Sequence, residues 1–183
     1  MDNLEENVRE GEVVEWIKSI GTAVVIALII KMFLFSFTTV NGASMEPTLE
    51  NGDFLFVEKY SKYLNIDNYR AGDIVLIKSP YKDDNRIFVK RIVGVEGDII
   101  DIENGLIYVN DEPIYEDYIE RNISTSPLNY GIDYSVPNNH IYVVGDNRHP
   151  NESDDSRSFG SVPITHIVGK VKFRVFPWPH KIN

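Results

Sequence analysis

An apolar run close to the N-terminus sets the first limit on the architecture of this protein. The segment Trp16–Val40 reads WIKSIGTAVVIALIIKMFLFSFTTV, and its central part carries no charge. A helix rises about 1.5 Å per residue, so crossing about 30 Å of hydrocarbon takes roughly 20 residues. Val13–Ile30 approaches this length if the Lys18 stem extends back to the headgroups. We therefore predict a transmembrane anchor with an interfacial segment over residues 16–38, after a short polar segment over residues 1–15.

Other interpretations of the apolar run fit less well. A cleavable signal peptide begins with basic residues, whereas residues 1–15 are mostly acidic. A helix buried in a soluble core is rarely apolar on every face over such a length. The basic residues on the two sides of the run are nearly balanced, so charge alone leaves its orientation open.

After residue 40 the pattern changes to short β-type runs separated by turns. One helical turn is predicted over Ser61–Tyr69, and Asn104-Gly105 predicts a tight hairpin within residues 98–110. The other runs rich in β-branched and aromatic residues lie at 53–60, 73–79, 86–95, 140–146, 161–169 and 170–176. We predict a mainly β domain over residues 39–183, with antiparallel sheets that form a curled or partly open barrel.

Within this domain, residues 111–139 are polar and rich in tyrosine and proline. A disordered linker would have a similar polarity, but four tyrosines and several isoleucines favour an ordered segment. We expect an insertion at about 111–139 that packs over one edge of the main sheet.

The composition excludes several classes of function. The chain has 28 acidic and 18 basic side chains and a net charge of −10, which disfavours nucleic acid as the main partner. The absence of cysteine removes disulfides, thiolate zinc sites and cysteine nucleophiles. The four histidines show no helical i, i+4 pair, so we expect no metal centre.

Ser44 is the first candidate for chemistry, in the segment NGASMEPTLENGD at 41–53. Gly42 permits a close backbone approach and Pro47 restricts the chain after the serine. Both features suit a hydroxyl held in one place, although a serine in an ordinary turn would have the same pattern. The spacing is not that of the Gly-x-Ser-x-Gly nucleophile elbow.

A serine nucleophile needs a base, and Lys90 meets that need best. None of the histidines has an obvious serine partner. A lysine acts as a base only when neutral, so its pKa of about 10.4 must fall by several units, which burial can achieve. In RIFVKRIVG, Lys90 shares a strand face with Phe88 and Ile92, while Arg91 points the other way. The alternative is an exposed Lys90 that forms a solvated basic pair with Arg91.

The third candidate is the polar run GDNRHPNESDDSRSFG at 145–160. A calcium loop is disfavoured because the EF-hand spacing is missing and Arg148 and Arg157 lie among the acidic residues. The alternative is an ion pair between Asp155 and Arg157 that braces a loop presenting Ser153 to a neighbour.

These three clusters, in this order, resemble the type I signal peptidases, which are membrane-anchored Ser/Lys endopeptidases that remove signal peptides. SMEPTL at 44–49 is similar to the nucleophile box of that family. The other three boxes are matched by GDIVLI at 72–77, KRIVGVEGD at 90–98 and the GDN…SDDSR run at 145–157. The resemblance covers nearly the whole chain. One hydrophobic span and a modest β domain make the chain similar to the Gram-positive members.

The resemblance implies Ser44 as the nucleophile and Lys90 as the general base. The supporting residues that it implies are Ser153, which would hydrogen-bond the base, the bracing pair Asp155 and Arg157, and the turn residues Asp146 and Asn147. The Ser44 backbone N–H would be one oxyanion donor. Gram-negative members place a hydroxyl at the position of Gly42, so the second donor stays open. Two extra residues between Arg148 and Ser153 depart from the family pattern.

The resemblance also implies the substrate and the location. Secreted preproteins would be cut after a small-x-small site through an acyl-enzyme, with neither metal nor cofactor. The chain would lie in the lipid bilayer of the cell membrane as a single-pass protein with a cytoplasmic N-terminus and an extracytoplasmic catalytic domain. The substrate would add as an extended strand beside residues 37–44 and 87–90. Candidates for lining its pockets, each of which fits a plain core role equally well, are Val40, Met45, Leu49, Phe88 and Val89.

Two other functions remain open. A membrane-tethered β-domain that binds peptides or partner proteins without catalysis would keep its function after Ser44→Ala. A self-cleaving Ser/Lys protease similar to SOS-repressor domains is disfavoured, because such proteins carry a DNA-binding helical unit where this chain has an acidic start and an apolar run.

Overall fold

The computed structural model describes residues 2–60, 69–128 and 135–181. The helical turn predicted over Ser61–Tyr69 lies, apart from its last residue, outside them. The strands are β1 (Phe35–Thr39), β2 (Phe54–Glu58), β3 (Ile74–Lys78), β4 (Ile87–Val95), β5 (Ile100–Glu103), β6 (Leu106–Val109), β7 (Glu112–Pro113), β8 (His140–Val144), β9 (Val162–Pro163), β10 (Ile167–Phe176) and β11 (His180–Lys181). The helices are α1 (Asp2–Leu34) and α2 (Ser156–Phe159), with a 3₁₀ turn at Ile164–His166.

Helix α1 contains the apolar run, and its side chains from Val14 to Lys31 are exposed. In the described parts of the chain, no helix is both long enough and apolar enough to cross a bilayer. The transmembrane anchor over residues 16–38 therefore stays a prediction. Helix α1 passes directly into β1, a strand that was not predicted because its FSFTT sequence continues the apolar run.

The main sheet is antiparallel and has the order β1-β2-β10-β3-β4-β8-β9, with β11 paired to β10. Strand β10 joins its two halves, because residues 167–170 pair with β3 and residues 170–176 pair with β2. Register shifts interrupt the β10 ladders and the ladder between β4 and β8. Such irregularities bend strands and increase twist, so the sheet curls. The prediction of a mainly β, antiparallel and curled fold is confirmed.

The hairpin prediction is also confirmed. Strands β5 and β6 pair across Asn104 and Gly105, whose φ angles of 51° and 83° are both positive, as a two-residue hairpin turn requires. Strand β7 extends this hairpin into a second sheet. Farther along the insertion, the Thr125 N–H donates to the Gly105 carbonyl, and Val136 packs into the core below β5 and β6.

The single strand predicted over residues 161–169 is wrong. Strand β9 ends at Pro163, and the 3₁₀ turn separates it from β10, which begins at Ile167 and takes in the strand predicted over 170–176. Proline has no N–H to donate to a continuing ladder, and this favours a break at Pro163.

Three clusters of buried aliphatic side chains support the chemistry-bearing segments. The first lies below the loop that carries Ser44 and includes Met45 and Leu49. The second contains Ile92, with Phe88 packed against it, and the third lies below the β5–β6 hairpin. Strand β4 therefore has buried partners on both faces, which brings residues 90 and 91 out of solvent.

Candidate active site

Ser44 lies in a closed loop between β1 and β2, which we name the Ser44 loop (residues 40–53). The Val40 N–H donates to the Asp53 carbonyl, and the Gly52 N–H donates back to the Val40 carbonyl, both at 2.9 Å. Gly42 has a φ of 110°, a conformation that favours glycine, and its N–H donates to Asn51 Oδ1 at 3.0 Å. Because the side chains of Met45 and Leu49 are buried, the loop is fixed and Ser44 is held half-buried at its surface.

The structure brings Lys90 of β4 to Ser44. The Lys90 ammonium nitrogen Nζ donates to Ser44 Oγ at 2.7 Å. Lys90 is 3% exposed, and its Nζ lies 5.6 Å from the centre of the Phe88 ring on the same strand face. Burial lowers the pKa of Lys90 to about 8, against the opposing effect of the negative charge on Asp155. The alternative of an exposed Lys90 in a solvated basic pair is wrong.

Arg91, which follows Lys90, is buried on the other side of β4 and was not predicted to be part of the site. Its guanidinium makes a two-point ion pair with Asp146, at 2.9 Å from Nε and 2.6 Å from Nη2. The hydroxyl of Thr48 donates to the same carboxylate at 2.6 Å. One carboxylate thus connects the Ser44 loop, the strand that carries Lys90 and the turn after β8.

The turn after β8 also holds the backbone at Ala43 and Ser44. The side-chain amide of Asn147 donates to the Ala43 carbonyl at 3.0 Å, and its backbone N–H donates to the Ser44 carbonyl at 3.1 Å. Gly145 makes this approach possible, because a Cβ there would lie 2.4 Å from the Ser44 carbonyl oxygen and 2.2 Å from Ser153 Oγ. Asp146 and Asn147 thus lie in a turn next to the Ser44 loop, and Gly145 is a further residue of this turn.

Asp155 is the centre of a second buried ion pair. It accepts hydrogen bonds at 2.8 Å from Nε and from Nη2 of Arg157, and another at 3.0 Å from the Gly145 N–H. Burial alone would raise the pKa of Asp155, but the hydrogen bonds and the charge of Arg157 hold it below its ordinary value. The Ser153 hydroxyl donates to Asp155 at 2.6 Å, and within the described residues no hydrogen bond joins it to Lys90. The predicted Asp155–Arg157 pair is present. The predicted hydrogen bond from Ser153 to Lys90 is wrong for the described structure, because the Ser153 hydroxyl donates to Asp155 instead.

Arg148 attaches the insertion to this site. Its Nε donates to the Gly145 carbonyl at 2.8 Å, and Nη1 donates to the Thr125 hydroxyl at 2.6 Å. Both terminal nitrogens pair with the carboxylate of Glu116. In the sequence, Arg148 was considered only as a charge that opposes calcium binding. No sequence signal pairs it with Glu116, because the two lie on different loops.

A cleft of about 350 Å³ opens beside Ser44 and Lys90. Four of the five predicted pocket residues line it, namely Val40, Met45, Phe88 and Val89. Leu49 does not line this cleft and is fully buried in the cluster below the Ser44 loop. In the described ranges, no three histidine or acidic side chains converge in the way that a metal site requires.

This arrangement can perform nucleophilic chemistry. A hydroxyl lies within hydrogen-bond distance of an amine that burial makes easier to deprotonate, next to an open cleft. A nucleophile, an adjacent base and groups that orient them are the parts that acyl transfer needs.

Comparison with known proteins also indicates a peptidase. The model of a family described as signal peptidase, peptidase S26, matches residues 13–178. The chain is 35% identical to signal peptidase I S of Bacillus subtilis over 182 residues, which cover 94% of this chain and 95% of that protein. It is 34% identical to the chloroplastic thylakoidal processing peptidase 1 of Arabidopsis thaliana, over 91% of this chain and 49% of that protein.

A solved structure of a signal peptidase I from Enterococcus faecalis aligns with a TM-score of 0.44 and 26% identity, over 55% of this chain and 94% of that one. The family match extends over most of the described sheet and over all three chemistry-bearing segments. The length and identity of the Bacillus match agree with it. The chain therefore belongs to the signal peptidase family, peptidase S26, and is a serine peptidase.

Proposed function

We propose that this protein is a type I signal peptidase in which Ser44 is the nucleophile and Lys90 is the general base. The observation that carries the proposal is the 2.7 Å hydrogen bond from a buried lysine to a half-buried serine hydroxyl. Burying a lysine is costly unless the amine is neutral or paired with a charge, and its closest polar partner is an uncharged hydroxyl. A role as a proton acceptor gives a reason for this placement.

The reaction follows from this pair. Neutral Lys90 Nζ takes the proton from Ser44 Oγ as Oγ attacks the scissile carbonyl carbon, and the carbonyl oxygen becomes an oxyanion. The peptide C–N bond then breaks, and the proton passes from Lys90 to the leaving amine. Water attacks the resulting ester, with Lys90 again as the base, and the ester bond breaks to return the proton to Ser44. The step needs neither a metal nor a cofactor.

The cleft beside Ser44 supports the choice of substrate. Its walls at Val40, Met45, Phe88 and Val89 are apolar, which favours an apolar side chain of the substrate. Because the chain belongs to the signal peptidase family, we expect that side chain to be small, such as alanine. We propose secreted preproteins as substrates, cut after a small-x-small site while the signal peptide lies extended beside β1 and β4.

We further propose that residues 16–38 hold the enzyme at the lipid bilayer of the cell membrane, with the N-terminus cytoplasmic and the catalytic domain outside. The support is the exposed apolar side chains of α1, among them Trp16, Ile20 and Leu28. Aromatic residues such as Trp16 favour the interface between lipid and water. Holding the enzyme at the membrane would place Ser44 near the plane in which signal peptides emerge.

The test is incubation of the full chain, in detergent or in lipid vesicles, with a preprotein. We expect one cut directly after the small-x-small site, identified by sequencing the new N-terminus, and recovery of the chain with the vesicles on flotation. A preprotein with lysine at the −1 position is the matched control and should stay intact. If the wild-type enzyme did not cleave the preprotein, this result would contradict the proposed function and favour a peptide-binding domain.

The lowered pKa of Lys90 predicts a pH dependence. Only the neutral amine accepts a proton, so with a pKa of about 8 roughly a tenth of the free enzyme is active at pH 7. We expect kcat/KM to rise about tenfold per pH unit below that pKa and to level off above it. The measurement is kcat/KM for a fluorogenic peptide from pH 6 to 10, and a flat profile would exclude Lys90 as the base.

A further inference from the structure

The oxyanion formed at Ser44 needs hydrogen-bond donors, and one is evident. The backbone N–H of Ser44 donates to no residue that the structure describes, while the carbonyl of Ser44 accepts from the Asn147 N–H. The free N–H is therefore available to a substrate carbonyl. Oxyanion holes generally use at least two donors, and Gly42, two residues earlier, contributes no side chain.

Asn41 places a second donor at the same cleft. It lines the cleft together with Ser44 and Lys90, and it is exposed. In the described structure the side-chain amide of Asn41 forms no hydrogen bond, whereas the nearby amide of Asn147 is used to hold Ala43. The Asn41 amide is thus a donor that the fold leaves unused.

Gly42 adds no obstacle next to this donor. A Cβ built on Gly42 would meet no atom within 4 Å, so the space beside this residue is open. The Gly42 N–H is engaged by Asn51 Oδ1, which fixes the peptide that precedes the nucleophile. The loop therefore holds the backbone of residues 41–44 in place and leaves the Asn41 side chain free to turn towards the cleft.

Other polar side chains of the cleft are less suitable. Thr38 and Thr39 belong to β1 and lie five or more residues before Ser44. The guanidinium of Arg86 is paired with Asp84 at 2.9 Å. A neutral amide also adds no charge beside Lys90, so it leaves the titration of the base unchanged.

We propose that Asn41 is a catalytic residue whose side-chain amide donates the second hydrogen bond to the oxyanion. As Ser44 Oγ bonds to the carbonyl carbon, the π electrons of the C=O bond move to oxygen, and the proton of the hydroxyl goes to Lys90. The negative oxygen then lies between the Ser44 N–H and the Asn41 Nδ2–H. This inference rests on the proposed function, because it concerns the same reaction.

The test compares Asn41→Ala and the nearly isosteric Asn41→Asp with the wild-type enzyme. Removing one oxyanion donor costs about 10²- to 10³-fold in kcat, so we expect that loss for Asn41→Ala with KM within about twofold. Asn41→Asp, which keeps the size but replaces the donor with a negative charge, should lose at least as much. Asn138→Ala, an exposed asparagine before β8, is the control and should keep wild-type kcat.

A peptide aldehyde that adds to Ser44 gives a second readout. The affinity of the aldehyde for Asn41→Ala should fall in proportion to kcat/KM, because its adduct with Ser44 carries the same negative oxygen as the reaction intermediate. The midpoint of the pH profile of kcat/KM, which Lys90 sets, should stay unchanged. Wild-type kcat in Asn41→Ala, or a loss confined to KM, would overturn the inference and leave the Ser/Lys mechanism intact. Failure of the wild-type chain to cleave any preprotein would instead overturn the proposed function itself.

Discussion

Ser44→Ala and Lys90→Met should each lower kcat/KM by about 10⁴- to 10⁶-fold, and the double variant should be no less active than either one. The reason is that the hydroxyl and the amine act as one unit through their 2.7 Å hydrogen bond. Removal of either member abolishes proton transfer, so the second substitution has little remaining activity to remove. Single-turnover cleavage of a preprotein, followed over hours, can measure losses of this size.

Matched controls separate this loss from general damage. Ser161→Ala changes a half-buried serine before β9, and Lys78→Met changes an exposed lysine on β3, the strand that pairs with β4. Both variants should keep activity within about twofold. A Lys90→Met enzyme that retained more than about a hundredth of the wild-type kcat/KM would contradict the assignment of the base.

The Lys90→Met variant should also be folded and at neutral pH more stable than the wild type. Burial holds the pKa of Lys90 near 8 in the folded state, below the 10.5 of an unperturbed lysine. Between these two pKa values, the folded chain therefore binds fewer protons than the unfolded chain. The buried lysine lowers the free energy of unfolding by its full amount below pH 8, and this loss disappears as the pH rises past 10.5. The Tm advantage of the variant should follow the same course.

The second large effect is expected for Asp155→Ala, which should lower the free energy of unfolding by about 3–5 kcal/mol. The substitution leaves the guanidinium of Arg157 buried without a counter-charge, because both side chains are almost fully shielded from water. It also removes the acceptor of the Gly145 N–H and of the Ser153 hydroxyl. Urea denaturation monitored by circular dichroism measures the change.

The chain contains its own control for this experiment. Asp84 and Arg86 have the same Asp-x-Arg spacing, but the Arg86 side chain is 69% exposed. Asp84→Ala should therefore cost far less than Asp155→Ala, since water solvates the arginine that remains. Equal losses for the two variants would show that burial does not set the strength of the Asp155–Arg157 pair.

Local sequence patterns predicted most of the strands after residue 50 and the face of β4 on which Lys90 lies. The alternation in RIFVKRIVG placed Lys90 on the face of Phe88 and Ile92, and the Asn104-Gly105 turn fixed the hairpin. These features depend on neighbours within a few residues, for which period and turn chemistry are reliable guides. The break after Pro163 was missed because the flanking residues are strongly β-forming.

Contacts between residues far apart in the chain were not predicted from the sequence. Arg91 next to Lys90 suggested a solvated basic pair, because nothing near it in the sequence shows that Asp146 lies against it in a buried ion pair. The same holds for Arg148 and Glu116, whose contact depends on how the insertion folds back. The role of Ser153 was assigned from the spacing of the SDDSR run alone, and spacing does not determine that its hydroxyl donates to Asp155.

The contact between Asn147 and Ala43 spans 104 positions of the chain, and this has a consequence for biosynthesis. While the polypeptide is being translated, Ser44 emerges from the ribosome long before the turn that secures it exists. Until the turn after β8 has been synthesised, the Lys90 amine is hydrated and protonated, with the basicity of an ordinary lysine. On the proposed mechanism, we expect the nascent chain to be inactive until the turn after β8 has been synthesised.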